Sequence, residues 1–136
     1  MKTASLVRDS DKVAVVATLW VTQSVWEQTR GLLRRPPLIV GQGMLLQHCR
    51  SIHTIGMTYP LDIVFLDKYG IVRKCVASVK PLRFAMCFGA STTLELPPGG
   101  LAHSTIRVGD TLRVHDVDGL SNPSHSAAID DAGNRA

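Results

Sequence analysis

The segment HCRSIHTIGM, residues 48–57, holds a cysteine, two histidines and a methionine. Such side chains can ligate zinc or copper, or can pair a thiol with a base. Spacing decides against a local metal site. On a strand each residue advances about 3.3 Å, so Cys49 and His53 would share a face about 13 Å apart. Two ligands of one zinc must each lie within about 2.3 Å of the ion. A helix would bring them together, but Ile52, Thr54, Ile55 and Gly56 read as β, and His48 falls on the other face. Met57 reads as core.

A nucleophilic cysteine needs a lowered pKa and a neighbouring base. Strand geometry places no base beside Cys49 or Cys75. Cys87, in the irregular stretch AMCFGA next to Gly89, is the better thiol candidate, although free cysteines are most often buried structural residues. Asp62 is the more informative position. It lies between Leu61 and Ile63 in LDIVFL, just after Pro60. A carboxylate there must be paired, hydrogen-bonded or solvated in a cleft, because burying it alone is too costly. The structural reading gives it backbone N–H partners at the strand entry or an arginine such as Arg50. The functional reading puts it in a cleft. Phosphate-loop, G-x-S-x-G, H-E-x-x-H and C-x-x-C signatures do not occur.

The elements that must position these residues are mostly strands. VAVVATLWV (13–21) is rich in β-branched residues. Ser24 and Glu27 form a capping box, Val25, Thr29, Leu32 and Leu33 follow at helical spacing, and Pro36-Pro37 stops the helix. GMLLQHCRSIHTIGM (43–57) is one bent strand or two short ones. LDIVFL (61–66) is apolar on both faces apart from Asp62, as a central strand would be. DKYG (67–70) is a type I turn leading into IVRKCVASV (71–79). Lys80–Gly89 is irregular. TTLELP (92–97) alternates, with Leu94 and Leu96 inward and Glu95 outward. PPGGLAHSTI gives a short helical turn before the last strand, TLRVHDV (111–117).

With 45% hydrophobic and 19% charged residues in 136, the chain is expected to fold as one domain. The expected organisation is a flexible N-terminus (1–10), a single β-rich domain (11–117) and a disordered acidic tail (118–136). Residues 1–115 carry 14 basic and 7 acidic side chains, so the body favours anionic partners. The basic residues are scattered, and no aromatic platform is interleaved with them, which argues against nucleic acid. Three cysteines without paired spacing point to a reducing compartment, the cytoplasm. Asp9 and Asp11 precede the only early apolar run, where a signal peptide would want positive charge. No run approaches the roughly 20 residues of a transmembrane helix.

RGLLRRPPL, GMLL, SIHTIGMTYPLDIVFLDKYGIV, LELPPG and IRVGDTL occur in this order and resemble the bacterial and archaeal family called domain of unknown function 192. The resemblance covers roughly residues 13–115 and is most specific from Met57 to Gly70. It implies a mainly β domain, a single compact β-sandwich or partly open barrel with one helix after the first strand, and brings no established reaction. Many relatives carry a signal peptide or lipid anchor, and neither is expected here. Met57 is followed by Thr58-Tyr59-Pro60 where a common family form has Lys-Asn-Thr, so a site built from those side chains does not carry over.

The expected function is binding of a small molecule or protein partner, without catalysis, through His53, Met57, Asp62, Arg83 and Cys87. The alternatives are a hydrolase or lyase using Asp62 and His53 as an acid–base pair, and a binder of anionic nucleic acid or lipid surfaces. No cofactor and no metal are expected, and the chain is read as a monomer or homodimer.

Overall fold

The computed structural model describes residues 2–22 and 37–116. The helix expected between Ser24 and Pro36, and the tail from 118, lie outside the described residues. Nine strands are described: β1 (Lys2–Arg8), β2 (Ala14–Val21), β3 (Gln42–Gln47), β4 (Ser51–His53), β5 (Leu61–Leu66), β6 (Val72–Val79), β7 (Phe84–Met86), β8 (Thr92–Leu96) and β9 (Leu112–Asp116). A short helix, α1 (Gly100–Ser104), precedes β9. Seven strands form one mixed sheet in the order β6-β5-β8-β3-β2-β1-β9, and β4 and β7 form a separate two-stranded ribbon. The β2–β3 pair is parallel and its neighbours are antiparallel. Among the described residues no helix is long and apolar enough to cross a membrane.

The mainly β reading holds, and so does the placing of LDIVFL. All six residues of β5 are buried, between β6 and β8. The N-terminus departs from expectation. Residues 2–8 form a strand paired on both sides, with β2 and with β9. Ala4 and Leu6 are small apolar signals among polar neighbours, yet both are buried. Pairing with strands far along the chain outweighs the weak local pattern. Arg8 ends β1 with bonds to Asp11, Asp110 and the Thr105 carbonyl.

Alternation along the strands separates two apolar clusters. Leu45, Val64, Leu66, Leu94 and Leu96 lie on one face with Ala4, Leu6, Val72 and Leu112. Met44, Leu46, Leu61, Ile63 and Phe65 lie on the other, against Leu38 and the ribbon residues Ile52 and Ala85. The sheet curls around the first cluster until its edges touch. Ile71 bridges Thr111, and Val72 N–H donates to the Asp110 carbonyl at 2.8 Å. Gly70 permits that approach. Its φ is +82°, and a Cβ there would lie 2.6 Å from the Leu112 carbonyl oxygen. The edges meet at this one end, so the sheet is a partly open barrel and not a closed one.

Two aspartates fix the curvature. Asp67, in the β5–β6 turn, accepts N–H bonds from Tyr69 and Ile71 and one from the Arg73 guanidinium at 2.8 Å. Burial opposes its ionisation, but these bonds outweigh burial and hold its pKa below the ordinary value. Asp62 lies opposite a bulge. Leu61 pairs with Val79 and Ile63 with Val76, so Ala77 and Ser78 together face Asp62. Ser78, at φ 54°, is in the left-handed region. One Asp62 oxygen accepts the Ser78 N–H at 2.8 Å and the other accepts the Leu101 N–H of α1 at 3.0 Å. The carboxylate thus ties the bulged edge strand to the helix that caps the barrel end.

Removing it strands two backbone donors. Asp62→Ala is expected to lower unfolding stability by about 2–4 kcal/mol in urea, with Asp62→Asn intermediate because one acceptor remains. A shift in the alanine variant below about 0.5 kcal/mol would contradict the structural role.

Candidate ligand-binding site

The opening segment divides into separate pieces. β3 ends at Gln47, His48 turns the chain with φ 54°, and Cys49 and Arg50 lead into β4. The Cys49 thiol donates to the Ser51 carbonyl at 2.9 Å. Lys80–Gly89, expected to be irregular, contains β7, which pairs with β4 as Ser51–Met86, Ile52–Ala85 and His53–Phe84. Thr54 closes one end of this ribbon. Its hydroxyl donates to the Lys80 carbonyl at 2.6 Å and accepts the Arg83 N–H at 2.8 Å. At the other end the Cys87 N–H donates to the Arg50 carbonyl. A residue that reads as an ordinary strand threonine therefore holds two distant loops together.

This arrangement sorts the expected site residues. His53 and Arg83 are exposed on the ribbon. Met57 and Cys87 pack against the apolar cluster between the ribbon and the sheet. Asp62 stands apart from all four. It is 2% exposed, and it shares the barrel-facing side of β5 with Val64, whereas the ribbon covers the side carrying Ile63 and Phe65. Both its oxygens are engaged by backbone, and no hydrogen bond links it to His53 among the described residues. The acid–base pair is not assembled. No group of three His, Cys, Asp or Glu side chains able to hold a metal occurs among the described residues either.

The residue that sequence reasoning placed wrongly is Glu95. It was expected to face outward, and it is 8% exposed. The alternation was read correctly, but β8 is central, lying between β3 and β5, and both its faces are covered. Its outward side is therefore the ribbon side. Across the sheet Glu95 pairs with Ile63 on one flank and Met44 on the other, and Met44 pairs in turn with Trp20. A carboxyl thus sits in a row of large apolar side chains. Its Oε2 has no hydrogen-bond partner. Burial alone pushes its pKa up to about 7.

Tyr59 packs against the same cluster and contributes a second buried, unpartnered atom, its hydroxyl. Burial raises the Tyr59 pKa, the Leu38 backbone offsets part of this without reaching hydrogen-bond geometry, and the Glu95 charge raises it further. Trp20, Met57 and Cys87 are partly buried around this cluster. The layer between the sheet and the ribbon thus holds one carboxyl and one phenol among apolar side chains. The sequence signal was available in the motif L-E-L-P, once the strand is known to be covered on both sides.

The opposite side of the sheet has a small cleft of about 100 Å³ at the barrel seam, lined by Leu6, Leu66, Tyr69 and Leu112 among others. It is well below the roughly 300 Å³ at which ligand pockets begin.

Two solved structures are similar in fold. One, of a protein of unknown function from Novosphingobium aromaticivorans, has a TM-score of 0.65 at 23% identity, covering 82% of this chain and 83% of that one. The other, described as a "putative transcription regulator" from Sinorhizobium meliloti, has a TM-score of 0.70 at 20% identity, covering 88% and 95% respectively. No curated protein matches the chain. The model of a family of uncharacterised proteins does match, over residues 6–114, and so the chain belongs to the family called domain of unknown function 192.

Proposed function

We propose that the chain is a non-enzymatic binding domain that holds a small molecule against the ribbon side of its sheet, with Glu95 as the polar anchor. The observation that carries this reading is the Glu95 carboxyl, buried in an apolar row with Oε2 unpartnered. A leucine there would cost nothing in desolvation, whereas an unpaired buried polar group costs on the order of 1–3 kcal/mol. Carboxyls with strongly perturbed pKa values cluster at functional sites. The matching ligand has an apolar body for Trp20 and Met57 and an N–H donor for Glu95, with Tyr59 supplying a second hydrogen bond. Asp62 belongs to the scaffold and not to this site. Three free thiols, Cys49, Cys75 and Cys87, accord with the reducing cytoplasm.

The buried carboxyl has a pH signature. Its folded pKa of about 7 lies above the unfolded value near 4.5, so the folded state holds the proton more tightly. Its contribution to stability is complete below pH 4.5 and is lost as pH rises through 7, at roughly 1.4 kcal/mol per unit. Glu95→Gln keeps the shape and removes the titration. Urea unfolding at several pH values is expected to show a decline in the wild type that is absent in the variant, with the variant the more stable at pH 8. Parallel pH curves for the two proteins would contradict the burial argument.

Native mass spectrometry of freshly purified protein tests the binding itself. The wild type is expected to carry extra mass that disappears on denaturation, and folded Glu95→Gln to carry about tenfold less or none. A bare wild-type mass, or equal loading of the variant, would defeat the proposal.

A further inference from the structure

The outer face of the β4–β7 ribbon raises a separate question. Ile52 and Ala85 point to the sheet, so His53, Phe84, Ser51 and Met86 point away from it. Ile55, Leu82, Phe84 and Phe88 are between 59% and 78% exposed. They do not line a groove. Ile55 lies in the turn closed by Met57 N–H on the Thr54 carbonyl, and Leu82 turns with φ 62°. Phe88 lies in the turn closed by Ala90 N–H on the Cys87 carbonyl. The apolar groups are therefore projecting tips.

The charges around them have one sign. Between Gln42 and Leu94 the only carboxylates are Asp62 and Asp67, both committed to the bonds described above. Arg50, Lys80 and Arg83 are exposed on the ribbon and its turns, and none has a carboxylate partner among the described residues. Lys74 reaches the same ribbon through the Met86 carbonyl at 3.0 Å. Apolar tips among exposed cations that have no carboxylate partner among the described residues match a surface that is anionic outside and apolar beneath. A folded protein would have to supply a separate pocket for each tip, whereas acyl chains accept them without one. Nucleic acid would leave Ile55 and Leu82 with nothing to contact.

We infer that this ribbon docks the domain on an anionic lipid bilayer, with Phe84 and Phe88 entering the interface and Arg50, Lys80 and Arg83 meeting headgroups. The inference does not rest on the Glu95 site, which lies on the inner side of the ribbon. The test is co-sedimentation of the full chain with vesicles of phosphatidylcholine containing phosphatidylglycerol, against phosphatidylcholine alone. Binding is expected to the anionic vesicles only, and to weaken about tenfold or more between roughly 0.05 and 0.5 M salt. Phe84→Ser with Phe88→Ser, and separately Lys80→Glu with Arg83→Glu, are each expected to reduce it about tenfold while the circular dichroism spectrum stays unchanged. Absence of binding at low salt would overturn the inference. Full binding by the double serine variant would also do so, since that is adsorption by net charge alone. Preference for a soluble poly-glutamate peptide containing phenylalanine over the vesicles would assign the ribbon to an acidic protein instead.

Discussion

The two hydrogen bonds that Asp62 accepts, from Ser78 and from Leu101, set the geometry on which both faces of the sheet depend. Ser78 sits in a bulge that bends β6, and bulges of this kind increase strand twist and turn an edge strand away from the sheet plane. Leu101 opens the helix that covers the end of the curl. At the other end of β6, Ile71 bridges Thr111 across the seam. The concave face becomes a filled core. The convex face carries the second apolar cluster, and the ribbon lies over it.

Two buried carboxyls on neighbouring strands thus have opposite roles for one reason, their supply of donors. Asp62 has a backbone N–H for each oxygen. Glu95, on β8 and on the other side, has apolar neighbours across both ladders and a free oxygen. The first is part of the scaffold. The second is a polar group held in an apolar place without a partner for one oxygen, and it is the group on which the proposed binding role rests.

The sequence revealed the strands better than it revealed the site. β5 was legible because a run of six apolar residues bounded by Pro60 and Asp67 has few other readings. The β5–β6 turn was legible because Asp67 and Gly70 occupy positions that only particular residue types fill. β1 was not legible, since Ala4 and Leu6 gain their burial from β2 and β9, which are remote in sequence. Glu95 was misplaced because alternation reports which side a residue faces and not whether that side meets solvent. The expected site residues are divided: His53 and Arg83 are exposed at the Thr54 end of the ribbon, Met57 and Cys87 pack against the apolar cluster beneath it, and Asp62 belongs to the opposite face of the sheet.

The most direct measurement of the central claim is a carbon-13 NMR titration of the Glu95 side-chain carboxyl in the intact chain, followed from pH 4 to pH 9. A midpoint near 7 would establish a buried, unpaired carboxyl on the ribbon side of the sheet, as the geometry requires. A midpoint at the ordinary glutamate value near 4.5 would mean that the group is solvated or paired, and the account of this site would fail.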